Sequence, residues 1–303
     1  MSSRSAPEAP PEHRAGHVAI VGRPNVGKSS LLNRLVGAKI SITSRKPQTT
    51  RRRVTGIVTL PHAQIAFVDT PGYQTEHLSA LNRAMNRDVT ASLGEVDAVL
   101  WVVEALRYDA RDEELAKLLP PGAPVVLAIN KTDLVKDKRE LLPFIARLSA
   151  QREFAAVVPV SATRGIQLDE LLEALVPLLP QGPRLYEEDE ITTASERFLA
   201  AELLREKLFR LLGEELPYAT AVEIEQFREE GALRRIHAVI LVDKESQKPI
   251  VIGKGGEKLK AIAAQAREDM ERLFGGKVFL QVWVKVRRGW AENEAVLRRM
   301  GYG

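Results

Sequence analysis

The sequence of 303 residues contains no cysteine, few aromatic residues and no long hydrophobic run. Without cysteine, the chain has no disulfides, no thiolate metal ligands and no thiol nucleophile. No apolar run approaches the roughly 20 residues needed to cross a bilayer. Residues 1–16 are rich in Pro, Ser and Ala and lack an apolar centre, so they predict a disordered tail rather than a secretory signal. We therefore expect a cytoplasmic, well-packed protein.

A glycine-rich segment at residues 22–29 has the spacing G-x-x-x-x-G-K-[ST]. It follows an apolar run at 18–21 and precedes apolar residues at helical spacing. Strand, glycine loop and helix in this order predict a phosphate-binding loop, with Lys28 reaching the β- and γ-phosphates and the Ser29 hydroxyl binding Mg²⁺. The nucleotide-binding residues expected in this loop are Gly22, Asn25, Val26, Gly27, Lys28, Ser29 and Ser30.

Two further motifs follow at the ends of predicted strands. In the D-x-x-G at 69–72, Asp69 would hold Mg²⁺ through water and the Gly72 N–H would contact the γ-phosphate. In the N-K-x-D at 130–133, the Asp133 carboxylate would accept hydrogen bonds from guanine N1–H and the N2 amino group. Adenine lacks both donors, and sites of this kind discriminate by roughly 10⁴-fold. Asn130 would brace the loop and the Lys131 stem would pack on the base.

Strands and helices alternate along the first half of the chain. We therefore predict an α/β domain over residues 17–180, a mostly parallel six-stranded sheet with helices on both faces. The motifs would then lie at the carboxyl edge of the sheet. A Pro- and Gly-containing segment and four consecutive acidic residues follow, and they predict a solvated linker over 181–195.

The motifs GRPNVGKSS, DTPG, NKTD and SAT, in this order, resemble the bacterial translation-factor-like small GTPases. The segment PQTTRRRV resembles the switch region of their Era branch. The resemblance implies that Thr49 or Thr50 closes over the γ-phosphate, and we favour Thr50 as the Mg²⁺ ligand beside Ser29 and Asp69. It also implies that the loop after the last strand offers a backbone N–H to the guanine oxygen. That loop comprises Ser161, Ala162 and Thr163.

The residue after DTPG is Tyr73, where Ras-type GTPases carry the glutamine that orients the attacking water. We therefore expect slow intrinsic GTP hydrolysis. Relatives hold a K⁺ ion with an asparagine of the phosphate loop, and Asn25 stands at that position; simple loop capping by Asn25 is an equal alternative. The catalytic residues expected are Lys28, Asn25, Thr50 and Gly72.

The segment from Lys244 to the end contains 13 Lys and Arg against 7 Asp and Glu, whereas the whole chain carries +4. Such a basic segment indicates nucleic acid, an anionic membrane surface or a solvated helix face. The order helix, strand, strand, helix, G-x-x-G, helix, strand over 196–303 resembles an α+β KH domain of type II, which binds single-stranded RNA. Trp290 would either stack on a base or pack in the core. Residues expected to contact RNA are Ile252, Gly253, Lys254, Gly255, Gly256, Lys258, Lys260, Lys285, Arg287 and Arg288.

A GTPase joined to a C-terminal KH domain resembles the Era family over nearly the whole chain. The family implies a GTP-hydrolysing switch that binds the 3′ end of small-subunit (16S) ribosomal RNA and acts in 30S subunit assembly. It also implies a monomer that associates peripherally with the inner membrane. Two alternatives stay open: an RNA-binding module with negligible turnover, and a GTPase accessory to RNA modification.

Overall fold

The computed structural model describes residues 13–44, 46, 49–73, 80–213, 215–293 and 297. In the N-terminal half six strands form one sheet in the order β2-β3-β1-β4-β5-β6, and only the β2–β3 pair is antiparallel. The strands are β1 (Arg14–Val21), β2 (Val54–Thr59), β3 (Ala63–Asp69), β4 (Ala98–Glu104), β5 (Val125–Asn130) and β6 (Ala156–Pro159). The predicted mostly parallel six-stranded sheet is confirmed.

Helices cover both faces of this sheet because its central strands are apolar on both sides. Val18 and Ile20 enter the core layer under α1 and α5, whereas Ala19 and Val21 enter the layer under α2, α3 and α4. The helices are α1 (Lys28–Val36), α2 (Ala80–Gly94), α3 (Ala110–Leu118), α4 (Leu141–Ser149) and α5 (Leu168–Leu175). Helices α2 and α4 were not predicted from the sequence.

The first strand and the linker differ from the sequence prediction. Strand β1 begins at Arg14, within the predicted tail, because the Arg14 guanidinium donates to the Leu179 carbonyl at 2.6 Å and its backbone pairs with β3. Residues 1–12 lie outside the described residues. The predicted linker over 181–195 contains no buried residue but is held to the sheet, because Gln64, buried in β3, accepts from the backbone N–H groups of Leu185 and Tyr186 at 2.8 and 2.9 Å. Neither contact depends on a periodic pattern of apolar residues, so the sequence could not reveal it.

The C-terminal half forms a three-stranded sheet in the order β7-β8-β9, with β7–β8 antiparallel and β8–β9 parallel. Helices α6 and α8 pack on one face of it around a single core. The elements are α6 (Glu196–Leu211), β7 (Thr220–Glu230), β8 (Leu233–Val242), α7 (Lys248–Ile252), α8 (Glu257–Phe274) and β9 (Lys277–Val286). This is the predicted order of elements, and the α+β KH architecture is confirmed.

The two halves touch through apolar and charged contacts. Ala80, Leu81 and Met85 of α2 pack against the C-terminal sheet and against Trp290, which is 1% exposed. The Trp290 indole donates to the Ala219 carbonyl at 3.1 Å. Of the two roles considered for Trp290, base stacking and core packing, the structure shows core packing. Elsewhere Lys39 donates to the Asp269 carboxylate of α8 at 2.6 Å.

Within the described residues, no helix is both long and apolar enough to cross a bilayer.

Candidate nucleotide site and nucleic-acid interface

A cleft of about 540 Å³ opens at the carboxyl edge of the N-terminal sheet. It lies there because the loops after β1, β3, β5 and β6 meet at that edge. The predicted nucleotide residues that line it are Asn25, Gly27, Lys28, Ser29, Ser30, Thr49, Thr50, Gly72, Asn130, Lys131, Asp133 and Thr163. The others predicted are absent from its lining and stand in adjacent positions of the same loops: Gly22, Val26, Asp69, Ser161 and Ala162.

The phosphate loop is held tightly against the N-K-x-D loop. Gly27 has φ 103°, and a Cβ there would come within 2.3 Å of the Asn130 amide nitrogen. That amide donates to the Val26 carbonyl at 2.8 Å, while the Asn130 oxygen accepts from the Ala162 N–H at 3.0 Å. Asn130 therefore joins the phosphate loop to the loop after β6. Of the backbone N–H groups in the loop that is predicted to contact guanine, the one of Ala162 is engaged by Asn130 here.

Lys28 folds back onto its own loop. Its ammonium donates to the carbonyls of Gly22 at 2.8 Å and Arg23 at 3.2 Å. Burial lowers the pKa of Lys28 to about 8, although the nearby Asp69 carboxylate acts in the opposite direction. A polyphosphate in the cleft would stabilise the charged ammonium and raise this pKa again.

Three oxygen-bearing side chains converge beside Lys28. The Ser29 hydroxyl lies 2.8 Å from the Thr50 hydroxyl and donates to Asp69 Oδ2 at 2.8 Å. Asp69 Oδ1 is buried and has no hydrogen-bond partner among the described residues. Burial raises the pKa of Asp69, against the effects of Lys28 and of hydrogen bonds from Ser41 and Ser29. A set of hard oxygen donors with an unpartnered carboxylate oxygen fits Mg²⁺.

Thr49 points away from this corner. Its hydroxyl hydrogen-bonds the Ser44 hydroxyl and the Lys46 carbonyl, both at 2.8 Å, whereas Thr50 faces Ser29. The geometry thus favours Thr50 over Thr49 as the metal-side threonine. Arg45, Pro47 and Gln48 of the same segment lie outside the described residues.

Asp133, the expected guanine-reading carboxylate, is fixed by the loop after β6. The Ser161 hydroxyl donates to Asp133 Oδ1 at 2.6 Å. Thr132 binds the Val160 carbonyl through both its backbone N–H and its hydroxyl. The carboxylate is therefore oriented before any base arrives, as a discriminating site requires.

Glu104, the last residue of β4, is a site residue that the sequence analysis missed. Its carboxylate accepts from the Lys131 ammonium at 2.7 Å and lies 3.7 Å from the Arg23 guanidinium. Arg23 in turn donates to the buried Asp112 at 3.1 Å. Glu104 thereby links the phosphate loop to Lys131, which is predicted to pack on the base. Its position at the C-terminal end of a parallel strand was the available signal.

The remaining catalytic candidates take different positions. Asn25 lines the cleft with φ 65°, and Gly72 approaches Pro24 so closely that a Cβ would lie 3.1 Å from the ring. Tyr73 packs against the apolar layer of α2, α3 and α4 and does not line the cleft.

The second candidate region is the glycine loop between α7 and α8. Gly253 has φ 76°, and a Cβ there would lie 2.7 Å from the Lys258 Cβ, so only glycine fits. Lys254 and Gly255 are exposed. Ile252 packs at the border of the core. The loop thus presents backbone and a cation to solvent at the start of an 18-residue helix.

The basic residues predicted around this loop do not form one group. Lys258 and Lys260 belong to the first turn of α8, next to Lys254. Lys285 is different, because the alternation of β9 puts it on the sheet face opposite the helices, where it pairs with Glu225 at 2.5 Å. Lys285 stays a predicted RNA contact, on the sheet face opposite the helices. Arg287 lies 3.8 Å from Glu223, and Arg288 is exposed.

Two family models match the chain: a 50S ribosome-binding GTPase over residues 17–131 and a KH domain over residues 215–291. Together with the cleft and the glycine loop, they define the class of protein, a P-loop GTPase joined to a KH domain. The GTPase Era of Chromobacterium violaceum is 61% identical over 94% of this chain and 97% of its own length. That of Nitrosomonas eutropha is 57% identical over 96% and 98%. The chain belongs to the Era family of GTPases, as its motifs predicted.

Solved Era structures share the architecture of both halves. An Aquifex aeolicus Era, a tyrosine-to-alanine variant bound to GDP·AlF4⁻, superimposes with a TM-score of 0.92 at 41% identity. An Era in complex with MgGDPNP and nucleotides 1506–1542 of 16S ribosomal RNA has a TM-score of 0.92 at 40% identity. Each match covers 96% of this chain and 99% of the other.

Proposed function

We propose that this GTPase binds Mg²⁺·GTP in the N-terminal cleft and the 3′ end of 16S ribosomal RNA at the KH domain. Its role would be in assembly of the 30S subunit, with the nucleotide controlling how the RNA is held. The observation that carries the proposal is the joining of a nucleotide cleft to a glycine-loop RNA module through buried side chains. The Era complex with MgGDPNP and a 16S fragment supports the choice of ligands.

In the nucleotide reaction Lys28 would neutralise charge on the β- and γ-phosphates, and Asp133 would select guanine. Ser29, Thr50 and Asp69 would hold Mg²⁺, which supplies electrostatic stabilisation to the transferring phosphoryl group. Because Tyr73 carries no amide and packs into an apolar layer, no side chain at that position orients water, and intrinsic hydrolysis would be slow.

Asn25 is the candidate ligand of an activating K⁺, since it lines the cleft on the phosphate loop. We expect faster turnover in K⁺ than in Na⁺ buffer, and Asn25→Ala should abolish the difference. Equal turnover in the two buffers would leave Asn25 with loop capping alone.

The coupling between the domains would run through residues 49–51. The Arg51 guanidinium is 1% exposed and donates to the carbonyls of Thr220, Pro217 and Tyr218 at 2.9 to 3.2 Å. It also lies 5.5 Å from the Phe209 ring centroid and 5.8 Å from that of Trp290. A residue adjacent to the metal-side threonine is thus anchored inside the KH domain.

A second arginine anchors the same segment from the other side. Arg205 of α6 donates to the Thr49 carbonyl at 2.6 Å and is held by Glu202 at 2.5 and 2.8 Å. Because Thr50 already faces Ser29 in the cleft, γ-phosphate and Mg²⁺ would hold residues 49–51 in this position, and hydrolysis would release them. The KH domain would then shift relative to the GTPase domain, as switch segments do elsewhere.

The RNA site is tested with a short RNA matching the small-subunit 3′ end, measured against the full-length protein. A Lys254→Asp, Gly255→Asp variant should lose RNA binding and keep its GTP affinity. The two negative charges repel phosphate at the glycine loop and lie in the other domain from the nucleotide cleft. RNA binding that survives this double substitution would place the RNA elsewhere.

Measurements of GTP turnover distinguish the proposed switch from the two alternative functions. Small subunits should stimulate GTP hydrolysis if the protein is a switch. No stimulation, together with RNA affinity that ignores the nucleotide, would favour the RNA-binding module. An accessory role in RNA modification needs a catalytic domain, and neither matched domain supplies one.

We further propose that the protein works as a cytoplasmic monomer, with any membrane contact peripheral and made by the basic C-terminal segment. Sedimentation of the purified protein tests the monomer. Co-sedimentation with anionic vesicles at low and high salt tests the membrane contact, which should vanish at high salt.

A further inference from the structure

Strand β9 forms an edge of the KH sheet, and its side chains alternate between two environments. Val278 and Val284 are buried under the helices. Phe279 and Trp283 occupy the opposite face and are 39% and 42% exposed. Large aromatic side chains so exposed on a sheet face indicate a contact surface.

Each ring is oriented by a neighbour on β8. The Arg235 guanidinium lies 4.7 Å from the Phe279 ring centroid. The His237 and Trp283 rings meet edge to face with centroids 5.5 Å apart. Each ring therefore contacts one neighbouring side chain, and a further planar group can still reach it.

The far part of the same sheet face is covered. Val239 and Leu241 of β8 are buried beneath α2 and Trp290. The part around Phe279 and Trp283 has no such cover among the described residues. An open face therefore begins where the interdomain contact ends, with Trp283 opposite Val239 in the register.

This open face is continuous with the glycine-loop side of the domain across a single strand. Val282 and Val286 of β9 pack against the same core as Ile252 and Leu259, which flank the glycine loop, and helix α7 contacts β9 directly. Because β9 is an edge strand, a chain bound along the glycine loop reaches the open face by passing over one backbone. The two surfaces can thus hold one extended ligand.

We propose that this aromatic sheet face, formed by Phe279, Trp283, Arg235, His237 and Lys285, is a second contact surface for single-stranded RNA. It would stack bases of the strand that leaves the glycine loop. The inference rests on the proposed RNA-binding function and adds to it a surface outside the glycine loop.

The residue types favour RNA over a protein partner. The outward positions of β9 are Lys277, Phe279, Gln281, Trp283 and Lys285, so aromatic rings alternate with cationic and amide groups and no aliphatic side chain is among them. The two rings are separated by about 13 Å along the strand at 3.3 Å per residue. Stacking platforms flanked by cations are how proteins hold single strands without strict sequence preference.

The ion pairs made by Lys285 and Arg235 on this face are exposed to solvent. Lys285 pairs with Glu225 at 2.5 Å and Arg235 with Glu230 at 3.0 Å, with every partner at least about one-third exposed. Such pairs contribute little in water, so a phosphate can displace the carboxylate.

The test measures the affinity of the full-length protein for two RNAs from the small-subunit 3′ end. One of about five nucleotides fills the glycine-loop groove, and one of about twelve extends beyond it. Trp283→Ala and Phe279→Ala should each weaken binding of the longer RNA by about tenfold, and leave the shorter one unchanged. Trp283→Tyr should retain most of the affinity, and Gln281→Ala on the same strand serves as the matched control. Trp283 emission should also be quenched by the longer RNA only.

Four results would overturn the proposal. In the first, the alanine variants bind the longer RNA as tightly as wild type does, and in the second they bind both RNAs equally more weakly. In the third, the alanine variants lose binding to the small subunit while their RNA affinity stays intact. In the fourth, the wild-type protein binds neither RNA. The third would identify a protein partner for this face. The fourth would also refute the proposed function, whereas the first would leave it standing because the shorter RNA still binds.

Discussion

The nucleotide cleft and the glycine loop differ in how their polar groups are satisfied. In the cleft Lys28 is already hydrogen-bonded to its own loop, and Asn130 and Asp133 are hydrogen-bonded to neighbouring loops. At the glycine loop Lys254 is exposed, and the loop offers mainly backbone and charge. The first region is oriented before its ligand binds, whereas the second is an open electrostatic surface.

This difference determines which ligands each region can distinguish. A carboxylate enclosed by its ligand rejects a base that leaves it unpaired, so the cleft is built for selectivity between bases. Exposed cations attract any phosphate backbone and lose strength as salt rises, so the loop is built for attachment.

Asp133→Asn should lower GTP affinity on the order of 10⁴-fold, because an amide cannot accept both guanine hydrogen bonds. The same amide can donate to the C2 oxygen of xanthine, so XTP binding should rise. Isothermal titration with GTP and XTP measures both changes, and RNA affinity of the nucleotide-free protein serves as the control. Unaltered base preference would remove Asp133 from base recognition.

Raising the pH above 8 should weaken GTP binding by up to about tenfold per pH unit. Burial sets the pKa of Lys28 at about 8 in the free protein, and bound phosphates raise it. Lys28 is about 90% charged one pH unit below its pKa and half charged at the pKa, so affinity should be nearly flat below about pH 7 and fall as the pH rises through 8. Titrations between about pH 7 and 9 test this, and Lys28→Arg, whose charge does not titrate in this range, should remove the slope.

Lys254→Ala should weaken RNA binding severalfold and reduce the slope of log affinity against log salt by about 0.7, the value for one phosphate on a single strand. GTP affinity should not change. Glu257→Ala, an exposed acid in the same turn, is the matched control and should not lower the slope. An unchanged slope in Lys254→Ala would mean that this lysine contacts no phosphate.

The cleft was predictable because its chemistry is local in sequence. Each motif spans a few residues and follows an apolar strand, so Lys28, Asp69 and Asp133 could be assigned roles from spacing and strand order alone. The order of elements around the glycine loop was predictable for the same reason. Glu104 escaped because one glutamate at a strand end has no distinctive spacing.

The contacts between distant segments could not be predicted. Arg51 binds carbonyls 166 to 169 residues away, and Gln64 binds backbone groups 121 and 122 residues away. No periodicity encodes such pairs. The alternation of side chains along β9 does predict that Trp283 faces outward. Trp290 lies beyond that strand and is buried by α2.

The central claim is that nucleotide state reaches the KH domain through Arg51. Its most direct test is the ratio of RNA dissociation constants between GTP-analogue and GDP forms, compared in wild type, Arg51→Lys and Arg53→Lys. Arg53 is the matched control, since it stands two residues away in an exposed pair with Glu95. The account predicts a ratio between about 5 and 150 in wild type and Arg53→Lys, collapsing towards one in Arg51→Lys. A ratio of one in wild type, or an undiminished ratio in Arg51→Lys, would contradict it.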